Sequence, residues 1–250
     1  MIKLSDISTK APKHFEKDEV KNWTKDLAEK IGDLQNILYA EKKHSLLIVL
    51  QGMDGTGKDS TTRALFRFCS QVGVQVTSFK KPTEEEFAHD FLWRAHKVTP
   101  EKGMIRVFNR SHYEDILIQY VHEWIDEDKR ARRTKSINSF EETLQYDTNT
   151  TILKFYMHMS PEEQLKQLTE RIEEPKKYWK HNDGDWEERK LWDKYMEAYE
   201  YAINNSVIPW TILPCDNEWY RDYLAAKTIC ETLEELKMKL PPLTTTLFKK

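Results

Sequence analysis

Glycine and cysteine are scarce in this chain, and no long apolar run occurs. Seven glycines are spread over 250 residues, so there is no flexible low-complexity tract, and a loop that does concentrate glycine stands out. Cys69, Cys215 and Cys230 are widely separated, which argues against a disulfide framework and for a reducing compartment, read here as the cytoplasm. The longest apolar run, "LLIVL" at 46–50, falls far short of the roughly 20 residues a membrane-spanning helix needs. The opening "MIKLSDISTKAPKHFEKDE" lacks the apolar stretch of a secretory signal. A net charge of -3 supplies no global attraction for nucleic acid or membrane, so any anion site must be local. The eight histidines show no spacing with cysteine or carboxylate that suggests zinc.

What is present is a strand-helix alternation. Five short apolar stretches rich in β-branched or aromatic residues predict buried strands at 46–51, 74–79, 105–110, 152–158 and 210–215. Segments with helical spacing lie between them, among them 58–72, 84–96 and 160–172. The alternation predicts an α/β fold, a parallel five-stranded sheet covered by helices in three layers. Val20, Trp23, Leu27, Ile31, Leu34 and Leu38 repeat every three or four positions. They predict an N-terminal helical extension over about 16–43, packed on the domain or on a neighbouring subunit. The tail "LPPLTTTLFKK" reads as a linker, and no composition shift marks a second domain.

The glycines gather in "QGMDGTGKDSTT" at 51–62. The spacing Gly52-x-x-x-x-Gly57-Lys58, after a predicted strand and before a predicted helix, is the context of a phosphate loop. Gly52, Gly55, Thr56, Gly57 and Ser60 would wrap the anion, the helix N-terminus would face it, and Lys58 would neutralise the transferred group. Asp54 and Asp59 are unexpected there, because a carboxylate beside a phosphate is repelled unless a cation lies between them. Magnesium, with manganese as a substitute, is the expected bridge.

A second strand end, "IRVFNRSHYED", places Asn109 where a carboxylate often helps to hold magnesium in such enzymes, with Glu114 and Asp115 one turn further on. The segment 171–186, "RIEEPKKYWKHNDGDW", concentrates Arg171, Lys176, Lys177 and Lys180 and reads as a lid. Arg63, Arg67, Lys80, Lys81, Arg94 and Arg110 are expected near the same sheet edge, more positive charge than one nucleotide requires. The run "KRARRTK" at 129–135 is compatible with an anion site and with a plain surface.

Together "GMDGTGKD", "HDFLWRAHKVTPEKGMIRVFNRSHYEDILI" and the segment from Arg171 to Arg221 resemble family 2 of the polyphosphate kinases over roughly residues 16–238. The resemblance implies a thymidylate-kinase-like P-loop fold with a helical lid, and magnesium-dependent phosphoryl transfer between inorganic polyphosphate and nucleotides. The run from Asn109 to Asp115 resembles the subgroup that phosphorylates AMP as well as ADP, with guanine nucleotides as further acceptors. By the same resemblance Asp54, Lys58, Asp59, Arg110 and Arg171 are the expected catalytic residues, and Asp54, Asp59 and Glu114 the expected metal ligands. Lys80, Lys81, Lys176 and Lys180 would hold polyphosphate. Phe79, Asn109, Glu114 and Trp179 are expected around the nucleotide, and a homo-oligomer, dimer or tetramer, is expected. An ATP-dependent nucleoside monophosphate kinase and a non-catalytic anion-binding module are the rival readings.

Overall fold

In the computed structural model, which describes residues 1–245 and 247, five parallel strands form one sheet. They are β1 (Ser45–Gln51), β2 (Val74–Ser78), β3 (Ile105–Asn109), β4 (Thr150–His158) and β5 (Trp210–Pro214), in the spatial order β2-β3-β1-β4-β5. All seven residues of β1 are buried, as a central strand covered on both faces requires. β2 lies at one edge and is half exposed. β1 pairs with β3 through Leu46–Ile105 to Leu50–Asn109 and with β4 through Ser45–Thr150 to Gln51–Tyr156.

The helices follow in the order α1 (Lys17–Glu41), α2 (Lys58–Phe66), α3 (Glu84–Phe87), α4 (Trp93–His96), α5 (Ile118–Val121), α6 (Glu127–Thr148), α7 (Pro161–Glu173), α8 (Asp183–Arg189), α9 (Trp192–Asn204) and α10 (Glu218–Glu235). Side chains alternate across the sheet, and that alternation builds two cores. Leu47 and Val49 face one way, onto Ile137, Phe140 and Leu144 of α6 and Ala198 and Tyr199 of α9. Leu46, Ile48 and Leu50 face the other way, onto Ile31 and Leu38 of α1 and Ala225, Ile229 and Leu233 of α10. Helix, sheet and helix give the three-layer α/β architecture that the sequence predicts. No helix among the described residues is long and apolar enough to cross a membrane.

Several local expectations change. The helix expected over 84–96 is two single turns, α3 and α4. Thr83 caps the first with a reciprocal bond to Glu86, and the Asp90 carboxylate takes the Leu92 N–H at 2.9 Å, which turns the chain between them. β3 stops at Asn109 because Arg110 adopts φ 58, outside the strand region. Trp23, expected in the apolar stripe of α1, is 37 % exposed and packs edgewise on Phe15. The run at 129–135 lies in α6 and sends two arginines inward. Arg130 sits between the rings of Tyr120 and Tyr201, and Arg133 donates to the Asp115 carbonyl at 2.8 Å. Of the tail, residues 246 and 248–250 lie outside the described residues.

Candidate active site

The site forms where β1 and β3 end side by side. After Gln51 the chain enters the glycine loop, with Gly55 at φ 94 and Gly57 at φ 84, left-handed angles that side chains with a Cβ rarely adopt. Lys58 begins α2 and is buried. Its Nζ donates to the carbonyls of Gly52 (2.9 Å) and Met53 (3.1 Å) and to Thr56 Oγ1 (3.4 Å). Burial lowers the pKa of this ammonium and the nearby Asp54 carboxylate partly restores it. A buried cation bonded to neutral carbonyls inside a phosphate loop is an anion site.

Arg110, at the end of β3, reaches over this loop. Its Nη2 donates to Asp54 Oδ1 at 2.5 Å, and its Nη1 lies 3.9 Å from Glu114 Oε2. Burial alone would raise the Asp54 carboxyl, but Arg110, Lys58 and Arg171 together hold it below the ordinary value. Glu114 goes the other way: burial raises it more than Arg110 and Lys58 lower it. Asn109 donates from Nδ2 to Asp59 Oδ1 at 2.5 Å, so the amide in the place of the expected carboxylate steadies a loop acid. The turn beyond is fixed from below. Ser111 Oγ takes bonds from Gln51 Nε2 (2.9 Å) and the Tyr113 amide (3.1 Å). Asp115 is held by Arg94 at 2.9 Å.

The lid segment covers the other side. Arg171, in the last turn of α7, donates to Asp185 Oδ2 of α8 at 2.5 Å. Burial and the nearby Asp54 carboxylate raise the Asp185 carboxyl. Arg189 of α8 donates to Gln164 Oε1 at 2.8 Å, and Gln164 Nε2 donates to the Asp54 carbonyl at 3.0 Å. Lys177 pairs with Glu170 (2.7 Å) and Glu174 (3.0 Å).

These elements enclose a cleft of about 1290 Å³. It is lined by Asp54, Gly55, Gly57, Lys58, Asp59 and Ser60 from the loop, by Lys80, Lys81, Asn109 and Arg110 from the strand ends, and by Arg171, Trp179 and Lys180 from the lid. Gly52, Thr56 and Glu114 lie behind its wall. Gly52 has no room for a side chain, since a Cβ there would sit 2.8 Å from the Met157 carbonyl. Thr56 Oγ1 turns inward to the Met53 carbonyl at 2.8 Å. Arg63 of α2 and Lys176 of the lid turn Pro175–Lys180 are exposed and are not among the residues that line the cleft. Phe79 reaches the cleft but is 6 % exposed, its ring 4.8 Å from that of Phe108 and under the Arg94 guanidinium, whereas Trp179 is 78 % exposed. Among the described residues no three acidic, histidine or cysteine side chains gather to hold a metal by themselves.

Two contributors carry no signal in the local sequence. Arg221 of α10, fully buried, donates to the Thr56 carbonyl at 2.8 Å and to Ser60 Oγ at 3.2 Å, with Asp222 as its counter-ion at 2.9 Å. It is joined to the loop across more than 160 residues of chain. Lys17, Lys21 and Lys25 of α1 also line the cleft.

The family model for polyphosphate kinase 2 matches residues 14–241. An AMP/ADP-polyphosphate phosphotransferase of Meiothermus ruber is 45 % identical over 218 residues, covering 86 % of this chain and 81 % of the relative. An ADP-polyphosphate phosphotransferase of Rhodopseudomonas palustris is 39 % identical over 231 residues, covering 86 % and 80 %. The crystal structure of polyphosphate kinase 2 from Arthrobacter aurescens TC1 superposes with a TM-score of 0.94 at 35 % identity, over 98 % of this chain and 90 % of that one. A P-loop whose carboxylate is clasped by an arginine from the neighbouring strand end, with a basic lid above it, thus belongs to a member of the polyphosphate kinase 2 family.

Proposed function

We propose that the protein transfers the terminal phosphoryl group of inorganic polyphosphate to AMP and to ADP, reversibly, with guanine nucleotides as further acceptors. The observation that carries this reading is the convergence of Lys58, Arg110 and Arg171 on one cleft, with the Asp54 carboxylate bonded to Arg110 among them. The M. ruber relative, by name, acts on both AMP and ADP with polyphosphate.

The chemistry asks little covalent work of the protein. A terminal oxygen of the acceptor attacks the last phosphorus of the chain, the bond to the bridging oxygen breaks, and polyphosphate leaves one unit shorter. Lys58 and the loop amides hold the reacting phosphates. Arg110 and Arg171 meet the charge that spreads over the equatorial oxygens. Asp54 and Asp59 are the side chains that would hold Mg2+ or Mn2+, which suits an ion carried by one or two carboxylates together with substrate phosphates. When bound, such an ion neutralises phosphate charge beside the two carboxylates. Glu114, set behind the wall, would act through Arg110. A cytoplasmic homo-oligomer belongs to the same reading.

The test is nucleotide formation from AMP, and separately from ADP, with polyphosphate as the sole donor and Mg2+ present or chelated. ATP from both acceptors, lost on chelation, is the expected result. Transfer only after ATP is supplied as donor would replace this reading with a nucleoside monophosphate kinase.

A further inference from the structure

α1 has two working faces. Val20, Ala28, Ile31 and Leu38 are fully buried against the body. On another side Lys17, Lys21 and Lys25 recur every fourth residue and line the same cleft as Lys58. At about 1.5 Å of rise per residue, the first and last of these lysines are roughly 12 Å apart along the helix. Lys25 shares its charge with Glu29 at 3.6 Å in an exposed pairing that contributes little. Lys17 and Lys21 make no ion pair among the described residues.

We propose that this lysine stripe of α1 is the track for the part of the polyphosphate chain that does not react. The proposal rests on the activity assigned above and names where its donor lies. Polyphosphate carries about one negative charge per phosphate in a regular row, and a regular row of ammonium groups matches it as basic residues match a nucleic-acid backbone. A nucleotide has the opposite character, its charge at one end and a flat apolar base at the other. The stripe offers three ammonium groups and Thr24, whose hydroxyl is turned back to the Val20 carbonyl at 2.7 Å. Arg67, Lys80 and Lys81 line the cleft as well, whereas Asp216, Glu218 and Asp222, at and beside the start of α10, add negative charge to its lining. The donor chain therefore lies along α1, with its terminal phosphate at Lys58, and donor affinity grows with chain length over the span of the stripe.

The test compares wild type with the triple variant Lys17→Ala, Lys21→Ala, Lys25→Ala, in which alanine favours the helix and α1 keeps its apolar face. Donors are tripolyphosphate and a long polyphosphate, with AMP as acceptor. In the triple variant KM for the long chain rises about ten-fold, KM for AMP stays put, and the advantage of the long chain over tripolyphosphate disappears. Direct binding of long polyphosphate across a salt series loses about two from its slope in log-log form. Lys21→Glu alone shifts both readouts the same way. An unchanged long-chain KM and salt slope in an active protein overturns the track, as does a rise in KM for AMP instead. A wild-type protein inert with polyphosphate overturns the activity and the track together.

Discussion

Arg110 and Asp54 meet at 2.5 Å across the mouth of the cleft, one from the end of β3 and the other from the loop after β1. The pair explains how a carboxylate stays charged in a loop built for anions. It also keeps Arg110, itself in a left-handed backbone conformation at φ 58, aimed at the reacting centre. Arg110→Ala is expected to lower kcat by about 10²–10³, the usual cost of removing one donor to a developing charge. Asp54→Asn, which keeps the shape and removes the charge, should do nearly the same. Steady-state kinetics with circular dichroism on both variants checks this, and normal turnover in Asp54→Asn would remove the carboxylate from the mechanism.

Gly57 and Arg221 form a second dependent pair. A Cβ on Gly57 would collide with the Arg221 guanidinium, and the position is already at φ 84. Gly57→Ala is therefore expected to displace the guanidinium that holds the Thr56 carbonyl and to abolish transfer. Arg221→Leu removes the buried donor to the Thr56 carbonyl, leaves Asp222 with Thr61 Oγ1 as its side-chain partner, and is expected to cost about 1–3 kcal/mol of stability. Urea denaturation beside donor KM measures both effects, and a fully active Gly57→Ala would show that the loop tolerates another shape.

Away from the cleft, Lys154 of β4 and Glu141 of α6 are an ion pair at 2.5 Å with no solvent exposure. Glu141 Oε1 also meets His112 Nε2 at 3.2 Å, and Lys154 donates to the Tyr113 hydroxyl at 2.7 Å. Burial alone would raise the Glu141 carboxyl, but His112 and Lys154 bring it below the ordinary value. Lys154→Met is expected to cost about 3–5 kcal/mol, and the double change with Glu141→Leu to recover most of it, because one stranded charge is worse than none. A double-mutant cycle by chemical denaturation gives the coupling directly. Additive losses would contradict it.

Glu114 has the opposite sign of pH dependence. Its carboxyl is raised in the folded protein, so the folded state binds the proton more tightly than the unfolded chain, where the value is about 4.3. Stability attached to this group is therefore greatest at low pH and is lost as pH rises from the unfolded value through the raised one. Asp54, held low, contributes stability above its unfolded value that is lost as pH falls through its folded one. Glu114→Gln should remove the first effect, raising Tm at neutral pH while leaving Tm at low pH unchanged. Equal Tm shifts at both ends of a pH series would contradict the assignment.

β1, β3 and β4 are readable because a central parallel strand must be apolar on both faces, and the edge strands β2 and β5 through short runs of β-branched and apolar residues bounded by polar ones. The phosphate loop was readable because glycine is so rare elsewhere. Lys154 puts a charge inside the apolar run 152–158, and only the fold shows the Glu141 carboxylate of α6 that meets it. The lysines of α1 were masked by a stronger apolar stripe on the same helix, and a periodicity that explains one face says nothing about the other. Arg221 illustrates the harder limit: its partners lie at the far end of the chain, so only the fold joins them. Arg63 and Lys176 do not line the cleft, because proximity in sequence to a basic loop does not set the direction of a side chain.

Gln164 uses both ends of one amide, accepting from Arg189 of the lid helix and donating to the backbone of Asp54. One side chain thus bridges the two halves of the cleft, and any coupling it carries between them is reciprocal. If an occupied lid tightens the grip of the loop on its phosphates by some factor, an occupied loop must hold the lid's ligand more tightly by that same factor. The ligands of the two halves would then bind in synergy, each one the other's effector.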